Sequence, residues 1–168
     1  MRTYHLHETT TATPAQFLAG LTDFGPGRQE MFGNSGDEFL QVHELGVNSA
    51  DVTEGTGRNG RALTWERLFY DWSNPNRVTM NVLDSNVWSS ASGHTYSITP
   101  QPDGTTAIDV DVVREGKNLK GRVLAVVVST IGKRSLAEAL HNSVKAIEAR
   151  NHVDAEDSEQ YARKLTAA

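Results

Sequence analysis

The 168-residue sequence predicts an α+β domain in which a curved, seven-stranded antiparallel sheet wraps around one long C-terminal helix. Three observations predict this class. A long apolar repeat with helical spacing lies near the end of the chain, hairpin signals separate alternating segments upstream of it, and two short helices follow the first strand.

The long helix is predicted over residues 118–151 by its apolar repeat. The repeat consists of Leu119, Val123, Val127, Ile131, Leu136, Leu140, Val144 and Ile147. All steps are three or four residues except the step across Gly132, which is five and would rotate the apolar face away. We therefore expect a bend or an interruption of the helix near Gly132.

The first half of this helix has an alternative interpretation. Residues 123–131 form a β-branched run that is also typical of a buried strand. No turn signal separates the run from Gly121, and the four-residue repeat continues through it, which favours a helix. Further apolar residues at Leu124, Val126 and Val128 predict that this half is buried on more than one side.

Upstream, alternation and turn signals predict the strands and the two short helices. Thr13-Pro14 supplies an N-cap and a first helical residue for a helix that ends near Asp23, and a second short helix is expected over 28–32. Asp103-Gly104 is a strong hairpin signal before the last strand. The predicted strands cover 3–11, 39–45, 50–54, 63–72, 78–84, 95–99 and 106–114.

Composition excludes several classes of protein. The chain has no cysteine and a net charge of −5 without a basic cluster. These features argue against a disulfide framework, a thiolate zinc site, nucleic-acid binding and attraction to anionic membranes. No signal peptide is recognisable at the start, and the longest apolar run, 123–128, is too short to span a bilayer. We expect a cytoplasmic monomer or homodimer without membrane insertion.

The chain is expected to form one domain over 1–151. A polar tail over 152–168 follows it, in which Asp154 is placed to cap a short helix.

A competing motif lies at Gly55–Gly60, which matches the G-x-G-x-x-G fingerprint of dinucleotide-binding proteins. Helical spacing between Trp65 and Trp72 and an acid at Asp84 fit the same interpretation. Against it, residues 50–54 are too polar for a central parallel strand, and hairpins follow instead of further βαβ units. We favour a glycine-rich connection between strands and keep dinucleotide binding as a lesser alternative.

The order of elements resembles the helix-grip fold of the START, pollen-allergen and polyketide cyclase/dehydrase superfamily (SRPBCC). The resemblance covers about residues 3–150 and rests on four segments: 9–21 with its Ala-Thr-Pro helix start, 70–75, 102–106 and the 121–150 helix. It implies an apolar cavity between sheet and helix for a lipid, a polyketide or another hydrophobic ligand. The superfamily has no shared catalytic residues, so none is assigned here, and no cofactor is implied.

The cavity wall follows from strand alternation. Because Asp109 and Asp111 must face water, Ile108, Val110 and Val112, which alternate with them, face the helix, and neighbouring strands contribute their matching faces. His94 and Tyr70 are expected to be the polar groups of the wall. The predicted ligand-binding residues are Tyr70, Trp72, Val78, Met80, Val82, His94, Tyr96, Ile98, Ile108, Val110, Val112, Val127 and Ile131.

A metal site is not predicted. Two or three of the histidines His5, His7, His43 and His94 would have to converge, and they lack carboxylate partners at ligand spacing.

Two functions remain. The first is a non-catalytic binding or carrier protein for a hydrophobic small molecule. The alternative is a cofactor-independent cyclase, aromatase or dehydratase, with Glu66, Arg67 and Tyr70 as candidate acid–base groups, although a solvated strand face explains Glu66 and Arg67 better. An enzyme should place a His, Glu or Arg with a strongly shifted pKa inside the cavity, whereas a carrier should have a nearly all-apolar wall.

Overall fold

The sheet and helices occur in the order that the sequence predicts. The computed structural model describes residues 1–33 and 35–166, without the side chains of 128–131, 133, 154, 155 and 157–166. The elements are β1 (Arg2–Thr10), α1 (Pro14–Leu21), α2 (Arg28–Met31), a 3-10 turn (Asp37–Phe39), β2 (Gln41–Leu45), β3 (Ser49–Arg58), β4 (Arg61–Asn74), β5 (Arg77–Ser85), β6 (Gly93–Pro100), β7 (Thr106–Arg114) and α3 (Leu119–Thr166).

The strands form one seven-stranded antiparallel sheet in the order β1-β7-β6-β5-β4-β3-β2. The middle of β7 presents an apolar inner face: Ile108, Val110 and Val112 are buried, while Asp109 and Asp111 between them are exposed. Pairing aligns these residues with Ile98, Tyr96 and His94 of β6, as the alternation predicts. The α+β helix-grip architecture is confirmed.

Helix α1 begins with the predicted cap. The Thr13 hydroxyl accepts the Gln16 N–H, and the Gln16 side chain accepts the Thr13 N–H, which satisfies two otherwise unpaired donors. Close packing follows at Gly20, where a Cβ would lie 2.8 Å from Ile147 of α3. This approach fixes α1 against the second half of the long helix.

The second half of α3 is the buried half. Leu140, Val144 and Ile147 are at most 6% exposed and join the core under the sheet, with Leu136 partly buried beside them. The apolar repeat over this half therefore has the predicted role.

The first half of α3 differs from the predicted interruption and burial. The helix is continuous across Gly132, so the expected interruption is absent. Because an unbroken helix keeps its 3.6-residue period, the buried stripe runs back from Leu136 to Gly132 and Gly121, with Leu124 beside it. In this half, the described residues of the predicted stripe, Leu119, Val123 and Val127, are rotated away from the sheet, and the side chain of Ile131 lies outside the described residues. Leu119, Val123, Val126 and Val127 are 78%, 57%, 56% and 47% exposed, so the predicted burial on several sides is wrong for these residues, and the side chain of Val128 lies outside the described residues.

Gly55–Gly60 does not open a helix. Gly55 and Gly57 lie within β3, and Asn59-Gly60 forms the two-residue turn to β4, with positive φ at both residues (55° and 70°). This geometry is that of a type I′ hairpin. Residues 63–72 are extended, as predicted, and the helix that a dinucleotide fingerprint requires is replaced by β4.

The C-terminal helix also extends beyond the predicted end at Asn151. It continues to Thr166, so Asp154 lies inside α3 and does not cap a separate short helix. The division of the chain at 151 into a domain and a tail stays a prediction. None of the described helices is both long and apolar enough to cross a membrane.

Candidate functional site

A cavity of about 250 Å³ lies between the inner face of β6 and β7 and helix α3. His94, Tyr96, Val110 and Val112 form its sheet side. The residues that α3 contributes are Leu124, Leu136, Ala139, Leu140 and Ser143. An engineered apolar cavity of about 150 Å³ already binds benzene, so this volume can hold a small organic molecule.

A second, smaller part of about 80 Å³ extends the cavity toward β3, β4 and α2. The two parts share six lining residues: Phe32, Thr64, Glu66, His94, Tyr96 and Arg114. The smaller part is the more polar one, since Arg28 and Glu54 join its wall. The site therefore has an apolar end under α3 and a polar end on the sheet.

Arg114 is the centre of the polar group that both parts share. Its guanidinium donates to both carboxylate oxygens of Glu66, at 3.2 and 3.3 Å, and to Nε2 of His94 at 2.6 Å. It also lies 5.2 Å from the centre of the Trp88 ring, a cation–π distance. Strand alternation places Arg114 here, because it follows Val110 and Val112 on the inner face of β7.

The ionisation of His94 follows from its surroundings. Burial, and then the positive charge of Arg114, lower the pKa of His94 well below its usual value, so the ring is neutral at neutral pH. An arginine can only donate, so Nε2 accepts and the ring proton is on Nδ1. This Nδ1–H has no hydrogen-bond partner in the described part of the chain.

Opposing effects act on the pKa of Glu66. Burial raises its pKa and the charge of Arg114 lowers it, while nearby Glu54 raises it further, with a net upward shift. Two hydrogen bonds from Arg114 hold its carboxylate on the cavity wall. The expectation that Glu66 and Arg67 share a solvated face is therefore wrong for Glu66. Arg67 does lie on the outer face, in a bidentate pair with Asp51.

A second buried cluster lies at the far end of the smaller part. Arg28 donates to Glu54 at 2.5 Å and to the Tyr70 hydroxyl at 3.1 Å, and that hydroxyl donates to Glu54 at 2.9 Å. Ser35 adds a hydrogen bond to Glu54, and Arg28 also donates to backbone carbonyls of Leu21 and Asp23. Each hydrogen-bonding group here has a protein partner, so the cluster fastens α2 to the sheet.

The two buried tyrosines, Tyr70 and Tyr96, differ in whether their hydroxyl has a protein partner. Burial raises the pKa of Tyr96 to about 12, so it stays protonated. No hydrogen bond between described residues involves the Tyr96 hydroxyl, and Tyr96 borders both parts of the cavity. The Tyr70 hydroxyl is committed to Arg28 and Glu54, although Tyr70 was expected to be a polar group free for a ligand.

The predicted lining residues divide into three groups. Those that border the cavity are Tyr70, Met80, His94, Tyr96, Val110 and Val112. Those that are packed in the core beside it are Trp72, Val78, Val82, Ile98 and Ile108. On α3, Val127 is 47% exposed and does not border the cavity, because the continuous helix turns it away, and the side chain of Ile131 lies outside the described residues.

Sequence reasoning missed most of the charged wall. Glu54 follows Ala50 and Val52 at a spacing of two, and Arg114 follows Val112 in the same way, so alternation was the signal that could have found both. Arg28 had no such signal, because its position depends on how α2 packs. Within the described residues, no three His, Asp or Glu side chains are grouped so as to hold a metal ion.

Solved structures with similar folds are numerous. They include the Zhui aromatase/cyclase from a Streptomyces species (TM-score 0.65, 13% identity, 89% of this chain and 94% of that chain). A START superfamily protein from Mycobacterium smegmatis is also similar (TM-score 0.61, 14% identity, 88% and 95%), as is a protein from Thermus thermophilus (TM-score 0.69, 12% identity, 89% and 99%). No protein-family model matches the chain, and neither does any curated protein. The fold likeness to the SRPBCC superfamily is confirmed.

Proposed function

We propose that this chain, which has the helix-grip fold of the SRPBCC superfamily, binds a small molecule with an apolar body in the cavity between the sheet and α3. The observation that supports this most directly is the 250 Å³ space itself, bordered by Val110 and Val112 on one side and by Leu136 and Leu140 on the other. Apolar surface that borders a cavity is stabilised when an apolar ligand fills it. The polar end at Arg114 and His94 would orient the ligand.

A blocking substitution tests this proposal. Val110→Trp places a large ring in the cavity, so the affinity for the uncharged apolar dye Nile red should fall by about tenfold or more. Fluorescence titration measures the affinity, and circular dichroism shows whether the variant is folded. The matched control is Val47→Trp, because Val47 is 92% exposed between β2 and β3. Equal dye affinity in folded Val110→Trp and in the control would contradict the proposal.

A second candidate function is cofactor-independent catalysis on a carbonyl compound. The observation that favours it is the shared wall of Glu66, His94 and Arg114, because a carrier was expected to have a nearly all-apolar wall. A neutral imidazole N–H can polarise a carbonyl group, and a carboxylate with a raised pKa can take up an α-proton. In this arrangement the proton moves from the α-carbon to Glu66 while His94 and Tyr96 stabilise the enolate oxygen.

Deuterium exchange separates this candidate from simple binding. Methyl hexyl ketone incubated with the protein in heavy water should lose its α-protons faster than the buffer reaction, as followed by NMR. Glu66→Gln should remove the acceleration while the ketone still binds. A ketone that binds at saturating protein concentration and exchanges no faster than in buffer would eliminate the catalytic candidate and leave the binding proposal standing.

A further inference from the structure

The charges around the cavity are balanced. Its wall in the described part of the chain contains two arginines and two glutamates, and each arginine is paired with one glutamate. Arg28 is paired with Glu54 and Arg114 with Glu66. With His94 neutral, the formal charge of the wall is zero.

This balance has a consequence for charged ligands. A bound carboxylate would have to displace Glu66 from Arg114 or bring a third negative charge beside two buried ones. A bound ammonium would meet the same difficulty with the opposite sign. Burying a charge without its own partner is costly, so both kinds of ligand are disfavoured.

The hydrogen-bonding groups that remain on the wall are uncharged and able to donate. The Ser143 hydroxyl of α3 is one of them, beside those of His94 and Tyr96. Nδ1–H of His94 donates, since its other ring nitrogen accepts from Arg114, and the Tyr96 hydroxyl has no partner among the described residues. Both side chains border both parts of the cavity. An uncharged carbonyl oxygen can accept from these donors without changing the charge of the site.

Resting on the proposed function, we infer that the cavity selects an uncharged, apolar molecule that carries a carbonyl oxygen over carboxylates and ammonium ions of the same length. Glu66 is then a specificity-determining residue. Its charge neutralises Arg114 and so excludes anionic ligands that an unpaired arginine would attract.

The experiment compares three ligands of equal chain length: methyl hexyl ketone, octanoate and octylammonium. Displacement of Nile red from the full chain at neutral pH gives their affinities. In the wild-type protein the ketone should bind about tenfold or more tightly than either ion. Glu66→Gln leaves Arg114 unpaired, so octanoate should gain about tenfold in affinity while the ketone changes less than about threefold.

Reciprocal and control variants complete the design. Arg114→Gln leaves Glu66 unpaired and should raise octylammonium affinity instead, and the double variant should prefer the ketone again. Asp51→Asn is the matched control, because it removes a carboxylate from a bidentate arginine pair on the outer face and should change no affinity. If Glu66→Gln does not fold, the ligand affinities of Arg114→Gln and the order of the three affinities in the wild-type protein still test the inference.

The outcomes distinguish this inference from the proposed function. Octanoate that binds the wild-type protein as tightly as the ketone, with Nile red still blocked by Val110→Trp, would overturn the inference alone. If folded Glu66→Gln shows the same order of affinities for the three ligands as the wild-type protein, the inference alone is likewise overturned. Failure of all three ligands and of Nile red to bind would overturn both.

Discussion

Glu148 shows how one partly buried carboxylate joins the long helix to the start of the chain. It accepts hydrogen bonds from the Thr10 hydroxyl and the Thr11 N–H, both at 2.8 Å, and from Lys145 at 2.8 Å. Burial opposes its ionisation, but these hydrogen bonds outweigh that effect and lower the pKa from 4.5 to about 2. The ionised form therefore stabilises the contact between α3 and the β1–α1 connection.

A lowered carboxyl pKa predicts a definite pH dependence. The stabilisation is complete above 4.5 and is lost as the pH falls toward about 2. Glu148→Gln should reduce the free energy of unfolding by about 1–2 kcal/mol at neutral pH, and the difference from wild type should shrink in acid. Urea denaturation at several pH values measures it. The control Glu138→Gln affects an exposed pair with Arg134 and should stay within about 0.5 kcal/mol. A difference that grows in acid would contradict this assignment.

Among the elements, α3 has two halves with different environments. Val144 is fully buried under the sheet, whereas Val123 is 57% exposed although both belong to the apolar repeat. Among the described side chains of α3, those of the second half are therefore expected to contribute more to stability than the exposed valines of the first half.

Matched substitutions test that assignment. Val144→Ala should reduce the free energy of unfolding by about 2 kcal/mol, because two buried methyl groups are lost. Val123→Ala should change it by less than about 0.5 kcal/mol, since an exposed side chain loses little on truncation. Chemical denaturation measures both, and helix propensity favours alanine equally at the two sites. Similar losses at both positions would mean that the first half is buried after all.

In the whole molecule, the cavity depends on elements that are distant in sequence. Its wall combines α2 and β3–β4 with β6, β7 and α3, so no single segment contains the site. The chain has a net charge of −5, yet the charges on the cavity wall cancel. Overall charge therefore says little about which ligand the interior accepts. The cytoplasmic location, the monomer or homodimer and the domain boundary at 151 stay predictions.

The sequence by itself determined the class of fold, the order of the elements and the inner face of the central strands. Those features depend on local patterns, such as the alternation through Ile108, Val110 and Val112 and the turn residues between strands. Asn59-Gly60 is an equally local hairpin signal. It lies inside the match to the dinucleotide fingerprint, and the sequence analysis did not use it.

Only the tertiary structure decided which face of α3 packs against the sheet and which charged side chains contact one another on the cavity wall. The apolar repeat does not specify whether the helix is interrupted at Gly132, and its continuity determines that Leu124, and not Val127, borders the cavity. The contact of Glu66, His94 and Arg114 joins three strands, so it depends on the register of the whole sheet. A pattern within one strand indicates the direction of a side chain, but its partner is set by what the folded chain places opposite it.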